Sequence, residues 1–253
     1  MNDLDRPVWA SLTHAPHLAE GGDLAKRYCR DVNVFASACD DSVASLAALR
    51  RLVLEDESVF VLQVPAIRVP QGLVAARAAQ GVQMLATRLI APQAGDSAIV
   101  ELGHDDAPEM LALARLTEPG PFLARTHTMG RFIGARIHGR LAAMAGERMR
   151  FPGFTEVSGV CTHPDFRGQG LARRLSSVVA SAIQQRGEQP FLHAWQTNQA
   201  AITLYEGLGF ELRTVVQVAV EAGVLSNAPG RVEGPLSAAK CLGQRCDAAM
   251  PDW

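Results

Sequence analysis

Residues 167–172, Arg-Gly-Gln-Gly-Leu-Ala, and residues 198–210, Asn-Gln-Ala-Ala-Ile-Thr-Leu-Tyr-Glu-Gly-Leu-Gly-Phe, decide how this chain of 253 residues is read. The first stretch follows a segment of strand character ending near Thr162. It precedes a segment in which Leu171, Leu175, Val178, Val179, Ala182 and Ile183 recur at spacings of three and four, one face of an amphipathic helix. A glycine-rich turn opening a helix aims several backbone N–H groups at one point, where the helix dipole favours negative charge. Glycine leaves no Cβ in the way of an approaching anion. The pattern is neither the dinucleotide G-x-G-x-x-G nor a Walker loop, which needs G-K-[ST]. A phosphate cradle and a plain helix start are the two readings it allows.

Outward from this centre, strands and helices alternate. Residues 98–102 read as a strand, followed by a polar turn with Asp105 and Asp106 and a helical stretch through Leu116. Residues 117–122, Thr-Glu-Pro-Gly-Pro-Phe, break that helix, because two prolines and a glycine cannot continue it. Residues 132–137 and 139–149 are strand-like and meet at His138-Gly139, a turn suited to a hairpin. Residues 156–162 form a further strand ended by Pro164. Gly187 is a helix stop, residues 190–195 a short strand, and Ala201, Leu204, Tyr205 and Leu208 a helical stripe closed by Gly209. Residues 210–220 are the last clear strand. The alternation predicts an α/β domain with a mixed sheet over residues 96–225.

Residues 1–95 read as an N-terminal α/β region. Residues 34–51 overlay residues 99–116 at a constant offset of 65, which matches Asp40, Asp41, Leu46, Ala47 and Arg50 to Asp105, Asp106, Leu111, Ala112 and Arg115. The region is either a degenerate copy of the second half's strand–helix opening, with residues 59–64 and 81–90 as further strands, or an Ala- and Leu-rich coincidence. Residues 226–253 read as an irregular tail.

Together, Arg167-x-x-Gly170-x-Ala172 and the later Asn198…Tyr205…Gly209-Phe210 resemble the GNAT superfamily of acyl-CoA-dependent N-acyltransferases. The resemblance is specific over residues 156–220 and extends back to residue 98. It implies a GNAT-like fold, acetyl-CoA as co-substrate, and a pyrophosphate site on the N–H groups of Gly168, Gln169, Gly170, Leu171 and Ala172. Arg167 and Arg173, with Arg174, would add charge-assisted bonds. It also implies that Val160, Cys161 and Thr162 lay their backbone along the pantetheine arm, the amide of Val160 or Cys161 polarising the thioester carbonyl. Asn198 would bond the pantetheine amides, and Tyr205, a phenol with an ordinary pKa of about 10, would protonate the departing thiolate. The structural alternatives are a solvated face for Arg173 and Arg174, a helix cap for Asn198 and a place in the apolar stripe for Tyr205.

The acceptor amine must lose a proton. Glu156, opening the strand that carries the acyl group, is the expected base, with Glu147 second and a water relay third. Strict alternation places Glu156, Ser158, Val160 and Thr162 on one face and Val157, Gly159 and Cys161 on the other. Cys161 reads as a small core residue, His163 as a turn residue, and His127 as lining the acceptor side, since the family places substrate loops between its first helix and the hairpin. The family has two strands after the tyrosine helix, and only one is clear here. The N-terminal region, the tail or another subunit would supply the second. No R-x-x-G-x-G/A loop precedes residue 95, so no cofactor site is expected there.

Composition excludes much else. With 48% hydrophobic and 20% charged residues, and 24 basic against 26 acidic side chains, the chain can bury a sizeable core but lacks the basic excess of a nucleic-acid binder. Its apolar runs are too short for a membrane span, and Met-Asn-Asp-Leu-Asp-Arg-Pro does not open like a signal peptide. Five scattered cysteines, Cys29, Cys39, Cys161, Cys241 and Cys246, point to a reducing cytoplasm, and none sits in a metal-ligand cluster. The expectation is a cytoplasmic, metal-free N-acetyltransferase, open to homo-oligomerisation. It moves an acetyl group from acetyl-CoA to a primary amine of a small or amino-acid-like molecule, by direct attack in a ternary complex. Alternatives are a peptide or protein amine as acceptor, a non-catalytic acyl-CoA-binding module, and a structural domain whose glycine turn only starts a helix.

Overall fold

The elements follow in the order α1 (Pro7–His14), β1 (Ala19–Gly21), β2 (Ala25–Tyr28), β3 (Ala36–Ala38), α2 (Val43–Leu52), β4 (Ser58–Gln63), β5 (Leu73–Ala86), β6 (Ile99–Leu102), α3 (Ala107–Thr117), β7 (Phe132–Ile137), β8 (Arg140–Phe151), β9 (Phe154–Thr162), α4 (Leu171–Gln185), β10 (Gln189–Trp195), α5 (Gln199–Leu208) and β11 (Phe210–Gly223). The structure is a computed structural model that describes residues 2–88, 90–92 and 99–223. The expected tail at 226–253, with Cys241 and Cys246, and the expected boundary at residues 95 and 96 lie outside these residues.

Local chemistry explains the element ends. Ser42 caps α2 by accepting from the Ser45 N–H, and Asn198 caps α5 by accepting from the Ala201 N–H. Gly187 (φ 76) and Gly209 (φ 110) take the left-handed conformation that stops α4 and α5. His138 (φ 50) and Gly139 (φ 77) form the two-residue, left-handed turn that joins β7 to β8.

The large sheet has the order β4-β11-β5-β10-β9-β8-β7-β6. Its neighbours pair antiparallel except β9 and β10, which are parallel. The strand missing after the tyrosine helix comes from the N-terminal region, and it fills an interior slot. β5 pairs with β11 from Leu73 to Ala86 and with β10 from Gly81 to Leu85. β4 then covers the far side of β11. A second, three-stranded sheet has the order β1-β2-β3.

On one face of the large sheet, α4 and α5 bury Leu175, Val179, Ile183 and Leu208 against Val82, Met84, Val157 and Leu192. Each such side chain contributes about 1.5–3 kcal/mol of burial free energy. On the other face, Met110 and Leu113 of α3 cover Phe132, Met144 and Cys161. Beside them, α1 with Tyr28 and Phe35 covers Met149, Phe151, Phe191 and Trp195. α2 closes a smaller core with β2, β3 and β4.

Candidate active site

Where β9 and β10 meet, their parallel pairing runs only over Phe154–Glu156 and Gln189–Phe191. Beyond Glu156, β9 continues to Thr162 without pairing to β10 among the described residues, so its backbone is left without a strand on that side. A strand edge of this kind must find other hydrogen-bond partners. The gap opens into a cleft of about 690 Å³ bounded by β9, the glycine loop, the start of α5 and the end of α3.

A bulge re-aims β9 at this point. Met144 faces Cys161 and Gly146 faces Ser158, so Gly159 and Val160 together oppose Ala145. Gly159 has φ 63, and a Cβ there would lie 2.9 Å from the Phe132 ring. The bulge overturns the strict alternation expected for this strand. Val157 and Val160 pack into the same core beneath α4 and α5, while Cys161 joins the core under α3.

Val160, Cys161, Thr162, Arg167, Gly168, Gly170, Leu171, Ala172, Arg173 and Asn198 all line the cleft, whereas Gln169 and Tyr205 do not. Gly168 (φ 77) and Gly170 (φ 71) are left-handed, and a Cβ on either would project into open space. The loop therefore presents bare backbone in a cradle at the start of α4. Among the described residues, the buried Thr162 hydroxyl has no hydrogen-bond partner, and neither has Arg174 Nε. An amide-bearing, phosphate-tipped molecule such as an acyl-CoA fits these features, with donors at the loop, an open strand edge, and a hydroxyl at the end of that strand with no partner among the described residues. Arg173 also has a structural bond, since its Nη2 donates to the Gly207 carbonyl at 2.7 Å. Asn198 Oδ1 accepts from the Ala201 N–H at 3.0 Å.

Tyr205 packs edge-on against Phe210, its ring centre 5.9 Å away. Burial, followed by the charge of Glu156 and the Cys161 thiol, raises its pKa well above the phenol range. The phenol therefore keeps its proton at neutral pH. Burial likewise pushes the Cys161 thiol up to about 12, against hydrogen bonds from Thr117 and the Met144 backbone. This leaves Cys161 an inert core residue. His163 Nδ1 accepts from the Asp165 N–H at 3.2 Å within its turn. His127, in the turn Thr126–Met129, sits 5.6 Å from the His104 ring and is not a cleft-lining residue.

Glu156 differs most from expectation. It is fully buried, and Arg148 Nε and Nη2 each donate to one of its oxygens at 2.7 Å. His193 Nδ1 lies 2.7 Å from Oε1. Burial alone would raise the carboxyl pKa, but the Arg148 charge and bonds, reinforced by His193, hold it at about 2. Both oxygens are engaged and the group stays ionised far below neutrality, a setting that makes it a weak proton acceptor. Glu156 instead ties β8, β9 and β10 together at the last paired residue before the split. The chain of bonds continues from His193 Nε2 to Gln83 Nε2 (3.0 Å), from Gln83 Oε1 to Arg213 Nη1 (2.8 Å), and from Arg213 Nη2 to Asp5 (2.6 Å). Glu147, the second candidate, is also engaged, with Arg186 Nη1 at 2.9 Å.

Thr117, Glu118 and Pro119 line the cleft as well. In the sequence these residues read only as a helix break. Among the described residues, no group of three His, Cys, Asp or Glu side chains could hold a metal ion, and no helix is long and apolar enough to cross a membrane.

Comparison with known proteins fits this geometry. Residues 133–218 match the FR47-like protein family. A solved GNAT-family acetyltransferase structure from Novosphingobium aromaticivorans is 41% identical, with a TM-score of 0.82 over 88% of this chain and 99% of that one. A GCN5-related N-acetyltransferase from Kribbella flavida shares the fold at 18% identity, with a TM-score of 0.63 over 88% of this chain and 97% of that one. A mycothiol acetyltransferase from Thermobispora bispora is 35% identical over 98 residues, which is 38% of this chain and only 31% of that relative's length. With its split parallel strands, its glycine cradle and a near full-length relative at 41% identity, the chain belongs to the GNAT superfamily of acyl-CoA-dependent N-acetyltransferases.

Proposed function

We propose that this acetyltransferase moves an acetyl group from acetyl-CoA to a primary amine of a small or amino-acid-like molecule, by direct attack in a ternary complex. The observation that carries the reading is the split between β9 and β10, which leaves a strand edge open beside the cradle of Gly168 and Gly170. Acetyl-CoA would supply the activated acyl group as a thioester. The N–H groups of residues 168–172 and the Arg167 guanidinium hold phosphate oxygens. The edge of β9 that faces away from β8 at Val160, Cys161 and Thr162, with the Thr162 hydroxyl, binds the amide-bearing arm, and the amide of Val160 or Cys161 polarises the carbonyl. Asn198 caps α5 and borders the same arm. Tyr205, protonated at neutral pH and lying behind the cleft wall of Ala201 and Leu204, gives its proton to the departing sulfur against the pull of its raised pKa.

The charged residues among those described as lining the cleft, Arg167, Arg173 and Glu118, are of mixed sign, and the mycothiol acetyltransferase relative favours a small-molecule acceptor. The location we propose is cytoplasmic, in keeping with the few and scattered cysteines of the sequence. Calorimetric titration with acetyl-CoA, with free coenzyme A alongside, tests the reading. Saturable binding at one site per chain is expected. Thiol release on adding amines should then be slowed about 100-fold in Tyr205→Phe, with acetyl-CoA affinity retained. Folded protein that binds neither ligand would sink the proposal, and binding without thiol release would leave a non-catalytic module.

A further inference from the structure

We propose that Glu118 is the acceptor-side catalytic carboxylate: it receives the ammonium group of the incoming amine and takes up its proton. This rests on the acetyl-transfer reading above. That reaction needs a proton acceptor near the split strands, and Glu156 and Glu147 are both held in ion pairs. Among the described residues that line the cleft, Glu118 is the single carboxylate. The other charged residues that line the cleft are Arg167, in the glycine loop, and Arg173, in the first turn of α4.

The local structure places it deliberately. The end of α3 packs on β9 beside the gap, its Met110 and Leu113 sharing a core with Cys161. The chain then leaves the helix at Glu118 with φ 49 and ψ 54, its N–H still bonded to the Ala114 carbonyl at 2.7 Å. Among the described non-glycine residues, only His138, in its hairpin turn, also has a positive φ. A left-handed helix terminus normally takes glycine, and an L-residue there costs about 1–2 kcal/mol. Strain of this kind collects where a side chain is needed. Buried Pro119 follows directly and fixes the exit of the loop. The Glu118 carboxylate forms no hydrogen bond or ion pair with any described residue, so it is available to a cationic ligand.

The substrate class is a primary alkylamine, protonated at neutral pH. Glu118 takes one proton from the ammonium and passes it to water. The freed nitrogen bonds to the thioester carbon as the carbon–sulfur bond breaks, and Tyr205 protonates the sulfur. The second nitrogen proton returns through solvent to Tyr205, so the net reaction releases one proton.

The test compares wild type with Glu118→Gln and Glu118→Gly, using acetyl-CoA and three amines: phenethylamine, glucosamine and alanine amide. In both variants kcat/KM for the amine should fall about 100-fold, with acetyl-CoA affinity unchanged. Glu118→Gly should melt no lower than wild type, because glycine suits the left-handed position. Loss of activity without loss of stability is what a structural role would not produce. Unchanged kcat/KM in Glu118→Gln overturns the assignment, and so does a fall that only tracks lost acetyl-CoA affinity. A wild type that fails to bind acetyl-CoA overturns the acetyl-transfer reading itself. One that binds it but acylates none of the amines overturns the amine-acceptor reading, and the Glu118 assignment goes with it.

Discussion

Arg148 reaches Glu156 because of a second bulge, where Arg148 and Met149 together oppose that one residue between the pairs Glu147–Val157 and Arg150–Thr155. The extra residue turns the guanidinium onto the carboxylate, and His193 closes the cluster from β10. Removing one charge from a buried pair leaves the other uncompensated, so Glu156→Gln should cost about 3–5 kcal/mol at neutral pH. The pH dependence follows from the lowered carboxyl pKa. The contribution is fully present above the ordinary value of 4.5 and is lost as pH falls toward about 2. Urea unfolding at a series of pH values should show the wild type losing stability through that window. Glu156→Gln should lack that component, and an unchanged acid profile in the variant would show that the cluster contributes nothing. The position of Glu156 was legible in the sequence because it depends on spacing along one strand. Its chemistry was not, because Arg148 and His193 are brought to it by pairing and by a bulge that no local pattern announces.

At the scale of elements, legibility followed periodicity. α4, α5, β10 and the β7–β8 hairpin are nearly as expected, since each carries a clear stripe, a glycine stop or a two-residue turn. α1, β1 and β2 went unread because they are short, and in the first half of β5 residues 74–78 are exposed and rich in alanine, without alternation. The loop before α4 gives a test at this scale. Gly170 is left-handed and faces open space, so Gly170→Glu puts a carboxylate into the phosphate cradle, where like-charge contact costs several kcal/mol. Acetyl-CoA binding should disappear from calorimetry while the fold survives, because the turn strain is only about 1–2 kcal/mol. Gly170→Ala adds the strain without the charge and should weaken binding far less. Equal affinities for Gly170→Glu and wild type would move the phosphate site elsewhere.

Across the whole molecule, β5 joins what the motifs suggest are consecutive parts. The residues that match the FR47-like family end within β11 and lack the strand that separates β10 from β11. That strand precedes them in sequence and brings buried Val82 and Met84 into the core beneath α4 and α5. The Arg213–Gln83–His193 bonds cross the same three strands on the opposite face. A fragment comprising residues 96–223 would therefore lose the partner of β10 over residues 191–195 and both partners of β11. Two unpaired edges and a core missing buried side chains do not support a stable sheet. The fragment should show no cooperative thermal transition and no acetyl-CoA binding. Adding separately prepared residues 1–92 should restore both, because the missing contacts are non-covalent ladder and packing interactions. A fragment that melted cooperatively and bound acetyl-CoA alone would mean that the acetyltransferase fold closes without β5. The N-terminal region would then be an appended cover, whereas the pairing of β5 with both β10 and β11 makes it part of the catalytic sheet.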